Sequence, residues 1–181
     1  MNKIWNILFI IVLSIFVLIF TTFQSKAAPN TLFNDNKHQM SLYPGISLRD
    51  KLENLYVFEI QYSQGNTFFG LDGRQNIEIL TAQGIGAFSK YNQHIILGIS
   101  EDVILYADDK FYTGASLGAY IKSATTDRIS SKFTFGQRIF VGLHISQKNA
   151  IEIFVRHFSN GTLTESNSGQ NFIGVGYTIN F

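Results

Sequence analysis

Strict period-two alternation, sustained over ten or more residues and repeated along the chain, limits this sequence more than any other feature. In "KFYTGASLGAYIK", Phe111, Thr113, Ala115, Leu117, Ala119 and Ile121 share one face, and Tyr112, Gly114, Ser116, Gly118, Tyr120 and Lys122 share the other. In "FTFGQRIFVGLHIS", Phe133, Phe135, Ile139, Val141, Leu143 and Ile145 oppose Thr134, Gly136, Arg138, Gly142, His144 and Ser146. At the end of the chain, Ile173, Val175, Tyr177, Ile179 and Phe181 oppose Gly174, Gly176, Thr178 and Asn180. Such alternation belongs to β-strands, and the second face decides the class. A soluble sandwich shows water a charged face. Glycine mixed with Ser, Thr, Tyr, Arg and Lys suits the crowded polar interior of a narrow barrel whose oily side meets lipid.

Strands are expected at 40–48, 55–63, 77–88, 94–106, 111–122, 133–146, 150–159 and 171–181. The first is weakened by Pro44, which removes a ladder donor. Crossing a bilayer takes about 9–11 residues per strand, and eight strands is the smallest usual outer-membrane barrel. The expected fold is therefore all-β: an eight-stranded antiparallel transmembrane β-barrel of the bacterial outer membrane. The competing fold is a soluble barrel of lipocalin type with its oily face inside.

The N-terminus reads as an export signal. Lys3 precedes the apolar core "IWNILFIIVLSIFVLIF", and the small residues Ser25 and Ala27 follow it. Residues 1–27 are expected to be a signal peptide, cleaved after Ala27 or Ala28, with 28–181 as one barrel domain; an uncleaved anchor is the alternative. The chain has no cysteines, which excludes disulfides and thiolate metal sites. A net charge of +1 and the lack of a basic run argue against nucleic acid.

An even strand count puts both termini at the periplasmic rim, so "ADDK" and "SQKN" become periplasmic turns, while "SATTDRISSK" and loop 160–170 lie outside. Parity then exposes an oddity in the seventh strand. Ile151, Ile153, Val155, His157 and Ser159 share one face, and Glu152, Phe154, Arg156 and Phe158 the other. His157 and Ser159 thus point toward lipid near the outer surface, where unsatisfied polar groups are costly. Residues i and i+2 of a strand stand roughly 6.6 Å apart on one side. Histidine can take the hydroxyl proton there while serine attacks an ester carbonyl. Asn160 and the Gly161 backbone N–H are the nearest candidates to hold an oxyanion or contact substrate.

"RHFSNG" followed by "NSGQNFIGVGYTINF" resembles the lipid A 3-O-deacylase family of PagL-like acyl hydrolases. The likeness is strongest over 150–181, looser over "FYTGASLGAYI" and "FTFGQRIFVGLHI", and weak before residue 90. It implies an eight-stranded barrel with a His-x-Ser-Asn motif on its lipid-facing wall, which removes an ester-linked acyl chain from lipid A. By the same likeness His157 is the general base, Ser159 the nucleophile and Asn160 a neighbour of the oxyanion. The family's third catalytic member is a glutamate at the start of the last strand, and Gln170 is expected in its position. A glutamine carbonyl can fix the imidazole tautomer but cannot balance an imidazolium charge. Glu165, in the same loop, is the alternative orienting acid, and a degenerate site is the third possibility.

Other signals carry less. "GASLG" matches a nucleophile elbow, but that motif needs a strand-to-helix turn, and Ser116 lies within a strand. Glu101, Asp102, Asp108 and Asp109 lack calcium-ligand spacing and read as solvated strand ends and a turn. Glu59, Glu78, Lys122, Arg138, Glu152 and Arg156 are expected to include lumen ion pairs. His144 reads as a hydrogen-bonded interior residue. The functional expectation is a membrane-embedded serine esterase acting on lipid A (lipopolysaccharide) of the outer leaflet, with no metal or cofactor and with homodimerisation left open. The alternative is a catalytically degenerate barrel with a structural or adhesive role.

Overall fold

A computed structural model of the chain describes residues 37–48, 54–84, 94–126, 128–161, 163–164 and 167–181. The expected signal segment 1–27 and Glu165 lie outside these residues. Eight strands form one sheet: β1 His38–Ser47, β2 Leu55–Phe68, β3 Leu71–Gly84, β4 His94–Ala107, β5 Phe111–Lys122, β6 Phe133–His144, β7 Asn149–Ser159 and β8 Gln170–Asn180. Each pairs antiparallel with its neighbours in sequence, and β1 pairs with β8 to close the barrel. Pro44 is accommodated inside β1. It pairs with Phe58 on the β2 side, while the recorded register with β8 runs from Leu42↔Tyr177 to Gly45↔Gly174, passing over Tyr43 and Pro44.

The β2–β3 hairpin is longer than the alternation suggests. The strands extend to Phe68 and from Leu71, because Gln64, Asn66, Gln75 and Asn76 continue the pairing with polar side chains that hide the pattern. Its turn is Phe69–Gly70, both in the left-handed region at φ 50 and 79°. Short turns there, at 108–110 and at 145–148 share one rim with both termini of the barrel, and the longer connections share the other.

The oily face points outward. Ile77, Ile99, Leu117, Ile121, Ile139 and Ile153 are each about 60% exposed or nearly so (61, 65, 62, 63, 63 and 58%). An apolar surface that encircles the molecule far exceeds what water-soluble monomers show, so the lipocalin-type alternative is set aside. His38, Tyr62 and Phe181 stack at the short-turn rim, as aromatic girdles do where hydrocarbon meets headgroup.

The lumen is filled and charged. Arg74 meets Asp102 at 2.7 Å and Glu152 at 2.8 Å. Arg138 meets Asp102 at 2.9 Å, and Arg156 meets Glu59 at 3.0 Å and Glu78 at 2.7 Å. Tyr43 and Tyr112 donate to Glu152, both at 2.7 Å, and Tyr120 donates to Glu78 at 2.8 Å. These tyrosine rings lie flat against Gly176, Gly142 and Gly98, where an added Cβ would come within 2.0 Å of a ring atom. The lumen pairs expected at Glu59, Glu78, Arg138, Glu152 and Arg156 are present, joined by Arg74 and Asp102. Asp102 is therefore no solvated strand end: the β4 pleat turns it inward, fully buried, between two guanidiniums. Lys122 Nζ donates to the Ile129 carbonyl at 3.2 Å, and His144 stacks on Tyr112 with ring centroids 4.8 Å apart.

Candidate active site on the outer wall

β7 keeps a strict alternation to its end, with Phe154, Arg156 and Phe158 buried and Val155, His157 and Ser159 on the outside. His157 sits between two amides. Its cross-strand partner is Gln137 on β6 and Asn171 on β8, and Ser159, one step nearer the rim, faces Phe135. The His157 Nδ1 lies 2.8 Å from Asn171 Oδ1. A carbonyl oxygen only accepts, so this bond belongs to the tautomer with hydrogen on Nδ1 and leaves Nε2 with the lone pair that a general base needs.

The acceptor expected from Gln170 thus comes from the next residue. Gln170 pairs with Phe158, points inward, is only 4% exposed, and places its Nε2 3.4 Å from Thr126 Oγ1. A shift of one residue on a strand moves a side chain to the opposite face; here that puts Asn171 beside the histidine and Gln170 in the lumen mouth.

Asn160 also turns inward and is fully buried. Its Nδ2 donates to Thr164 Oγ1, its backbone N–H donates to Asn167 Oδ1 at 3.0 Å, and its carbonyl accepts from Leu163 N at 3.1 Å. These bonds brace the loop and leave the Asn160 side chain away from the outer wall. Gly161 does lie on the outer side. It is exposed, takes φ 61°, and backs onto the Phe135 ring, 3.2 Å from where a Cβ would stand. Its N–H and the Ser159 hydroxyl have no hydrogen-bond partner among the described residues.

Two residues that the sequence reading passed over complete the site. Gly169, at φ 68°, lies so close to the imidazole that an added Cβ would be 2.5 Å from His157 Cε1 and 3.2 Å from Nε2. Arg128, from the β5–β6 connection, holds that segment in place. Its Nε donates to the Gly169 carbonyl, its Nη2 to the Ser168 carbonyl at 3.2 Å, and its own carbonyl accepts from Ser168 N at 2.8 Å. An Ile129↔Asn167 bridge and a 2.7 Å contact between the Ser130 and Thr164 hydroxyls extend the same seam. The glycine in "NSGQNF" was the one available sign of close approach; no sequence sign links Arg128 to the loop.

Comparison with known proteins bears on this geometry. A family model described as Lipid A 3-O-deacylase (PagL) matches residues 31–180. A lipid A deacylase PagL from Bordetella bronchiseptica is 34% identical over 79 residues, 42% of this chain. The matched stretch spans 44% of the length of that relative. The crystal structure of the outer membrane enzyme PagL aligns with a TM-score of 0.55 at 16% identity, over 77% of this chain and 98% of that one. Neisserial surface protein A aligns with a TM-score of 0.54 at 12% identity, over 80% and 96%. A designed transmembrane β-barrel reaches 0.55 at 9% identity, over 81% and 98%. At these identities the solved structures speak to the barrel fold.

Proposed function

Because the chain belongs to the lipid A 3-O-deacylase family and folds as an outer-membrane barrel, we propose that it hydrolyses an ester-linked acyl chain of lipid A with Ser159 as nucleophile and His157 as general base. The observation that carries this reading is the 2.8 Å contact between His157 Nδ1 and Asn171 Oδ1, with Ser159 two residues on and on the same lipid-facing wall. Nε2 takes the Ser159 proton as Oγ attacks the ester carbonyl, and later returns it to the departing sugar oxygen. Water, deprotonated by the same nitrogen, then cleaves the acyl-serine. The Gly161 N–H is the nearest donor for the developing oxyanion.

Asn171 orients the ring as an amide acceptor, as the third member of papain-like triads does. An amide cannot neutralise the imidazolium, so turnover is expected to be slow for such a site. The same amide favours the second reading, a barrel that keeps the site's geometry but serves as a structural or adhesive surface protein. Mass spectrometry of lipid A from cells expressing the chain separates the two. Loss of one acyl chain, abolished by Ser159→Ala with the barrel still folded, supports hydrolysis; an acyl count unchanged in both strains defeats it.

A further inference from the structure

The outer wall carries a carboxylate on the far side of the barrel from the candidate site. Glu101 lies on the lipid-facing side of β4, between Ile99 and Val103, and is partly exposed. Its neighbours on the same ladder row are Gln75 on β3 and Gln64 on β2, both exposed. No described residue hydrogen-bonds either glutamine side chain. Asn66 reaches Glu101 across β3, where its Nδ2 donates to Oε1 at 2.7 Å. Gly73 leaves room for that bond, since a Cβ there would stand 2.8 Å from Asn66 Oδ1 and 3.3 Å from Glu101 Oε1.

The ladder gives the depth of this patch. Its row continues from Gln64 to His38, which bonds Phe181 just past the end of β8 at the short-turn rim. In tilted strands each step along such a row climbs roughly 3 Å. Glu101 therefore stands about 10 Å above the aromatic stack at that rim, inside the inner leaflet. An ionisable group at such a depth marks a binding site, because hydrocarbon neither solvates nor pairs it.

The same residues line one end of a groove of about 630 Å³. On each strand the polar residue is on the short-turn side, with an apolar or aromatic one above it. Tyr62 follows Gln64, Ile77 follows Gln75 and Ile99 follows Glu101. Polar below and apolar above is the polarity of an inner-leaflet phospholipid; an outer-leaflet lipid has its headgroup at the opposite rim. Charge narrows the choice further, since a carboxylate seeks a cation while amide N–H groups donate to phosphate. We propose that this groove binds an inner-leaflet phospholipid with a primary-amine headgroup. Its ammonium meets Glu101, its phosphate accepts from Gln64 and Gln75, and its chains lie over Ile77 and Ile99. The headgroup is thereby held above its usual level, and the leaflet is thinned along this side of the barrel. The site is independent of Ser159 and of any hydrolysis there.

The test is native mass spectrometry of the refolded chain, released from micelles doped with two phospholipids of identical acyl chains. One carries an ethanolamine headgroup and the other glycerol. The native barrel should retain the ethanolamine lipid about fivefold over the glycerol lipid, the share of one partly solvated ion pair. Glu101→Gln keeps an acceptor for Asn66 and removes a charge from the wall, so folding is not at risk. It should bring the ratio near one. Gln75→Leu should weaken retention of both lipids alike, because the phosphate is common to them. Equal retention by the native barrel overturns the proposal, as does a preference that survives Glu101→Gln. A lipid-free dimer that Glu101→Gln dissociates would also overturn it, by assigning the groove to a second copy of the chain.

Discussion

Asn171 and His157 face each other across the β7–β8 ladder, and the 2.8 Å bond between them is made on the side of the sheet that lipid covers. In hydrocarbon, a hydrogen bond to the imidazole has little competition from water, so the pair fixes both the tautomer and the plane of the ring. On the proposed mechanism the residue at 171 orients the base, while Gln170 faces the lumen mouth.

Replacing Asn171 by Glu should therefore raise kcat between about tenfold and a hundredfold, since a carboxylate both orients the ring and balances its charge. Asn171→Ala should lower it about tenfold or more. Gln170→Glu, on the inner face, should bring no gain. Release of fatty acid from lipid A micelles measures all three, and a gain at 170 instead of 171 would reverse the assignment.

Gly169→Ala should damage activity more than folding. Its φ of 68° and its 2.5 Å approach to His157 Cε1 mean that a methyl group displaces the ring. The backbone cost is only about 1–2 kcal/mol, yet misplacing a general base by about 1 Å costs roughly a hundredfold in rate. Paired measurements of kcat and of the urea midpoint of refolded protein should show this split.

Arg128→Met should loosen the seam that holds Ser168 and Gly169 against the imidazole. We expect kcat to fall about threefold to tenfold, the share of one or two hydrogen bonds to a charged group. Hydrogen exchange should quicken at Ser168 and Gly169 while the lumen-facing amides stay protected.

Two further substitutions separate wall from lumen. Arg138→Met removes one guanidinium from a fully buried network with Asp102 and Glu59. It should destabilise the barrel by about 3–5 kcal/mol, the usual result of stranding a buried charge. Ile153→Arg, on the exposed oily face, should cost about 2–4 kcal/mol near the membrane midplane. Folding titrations into vesicles should report both losses.

Alternation alone was enough to find the barrel, its sidedness and the outward aim of His157 and Ser159, because parity along one strand needs no knowledge of its neighbours. Parity along the last strand already sets Asn171 with Ile173 on the outer face and Gln170 with Gly174 on the inner one. The expectation at Gln170 came from the family likeness instead, and the ladder, which pairs Asn171 with His157, corrects it. Gln137 was obscured by the apolar row around it. Asp102 was obscured by the acidic run in which it sits, although its inward neighbours Ser100 and Ile104 share its face. Arg128 reaches its partners across two separate connections, a contact between distant segments for which local sequence offers no sign.

Among the described residues, arginine, tyrosine and phenylalanine side chains pack across the lumen, with Arg138 over Tyr43 and Arg156 over Phe158. On the proposed mechanism, the water that cleaves the acyl-serine reaches Ser159 along the exterior, from the long-loop rim. How deeply that rim sinks among lipid headgroups should then bear on the proposed deacylation, which makes bilayer thickness a second variable beside the wall residues.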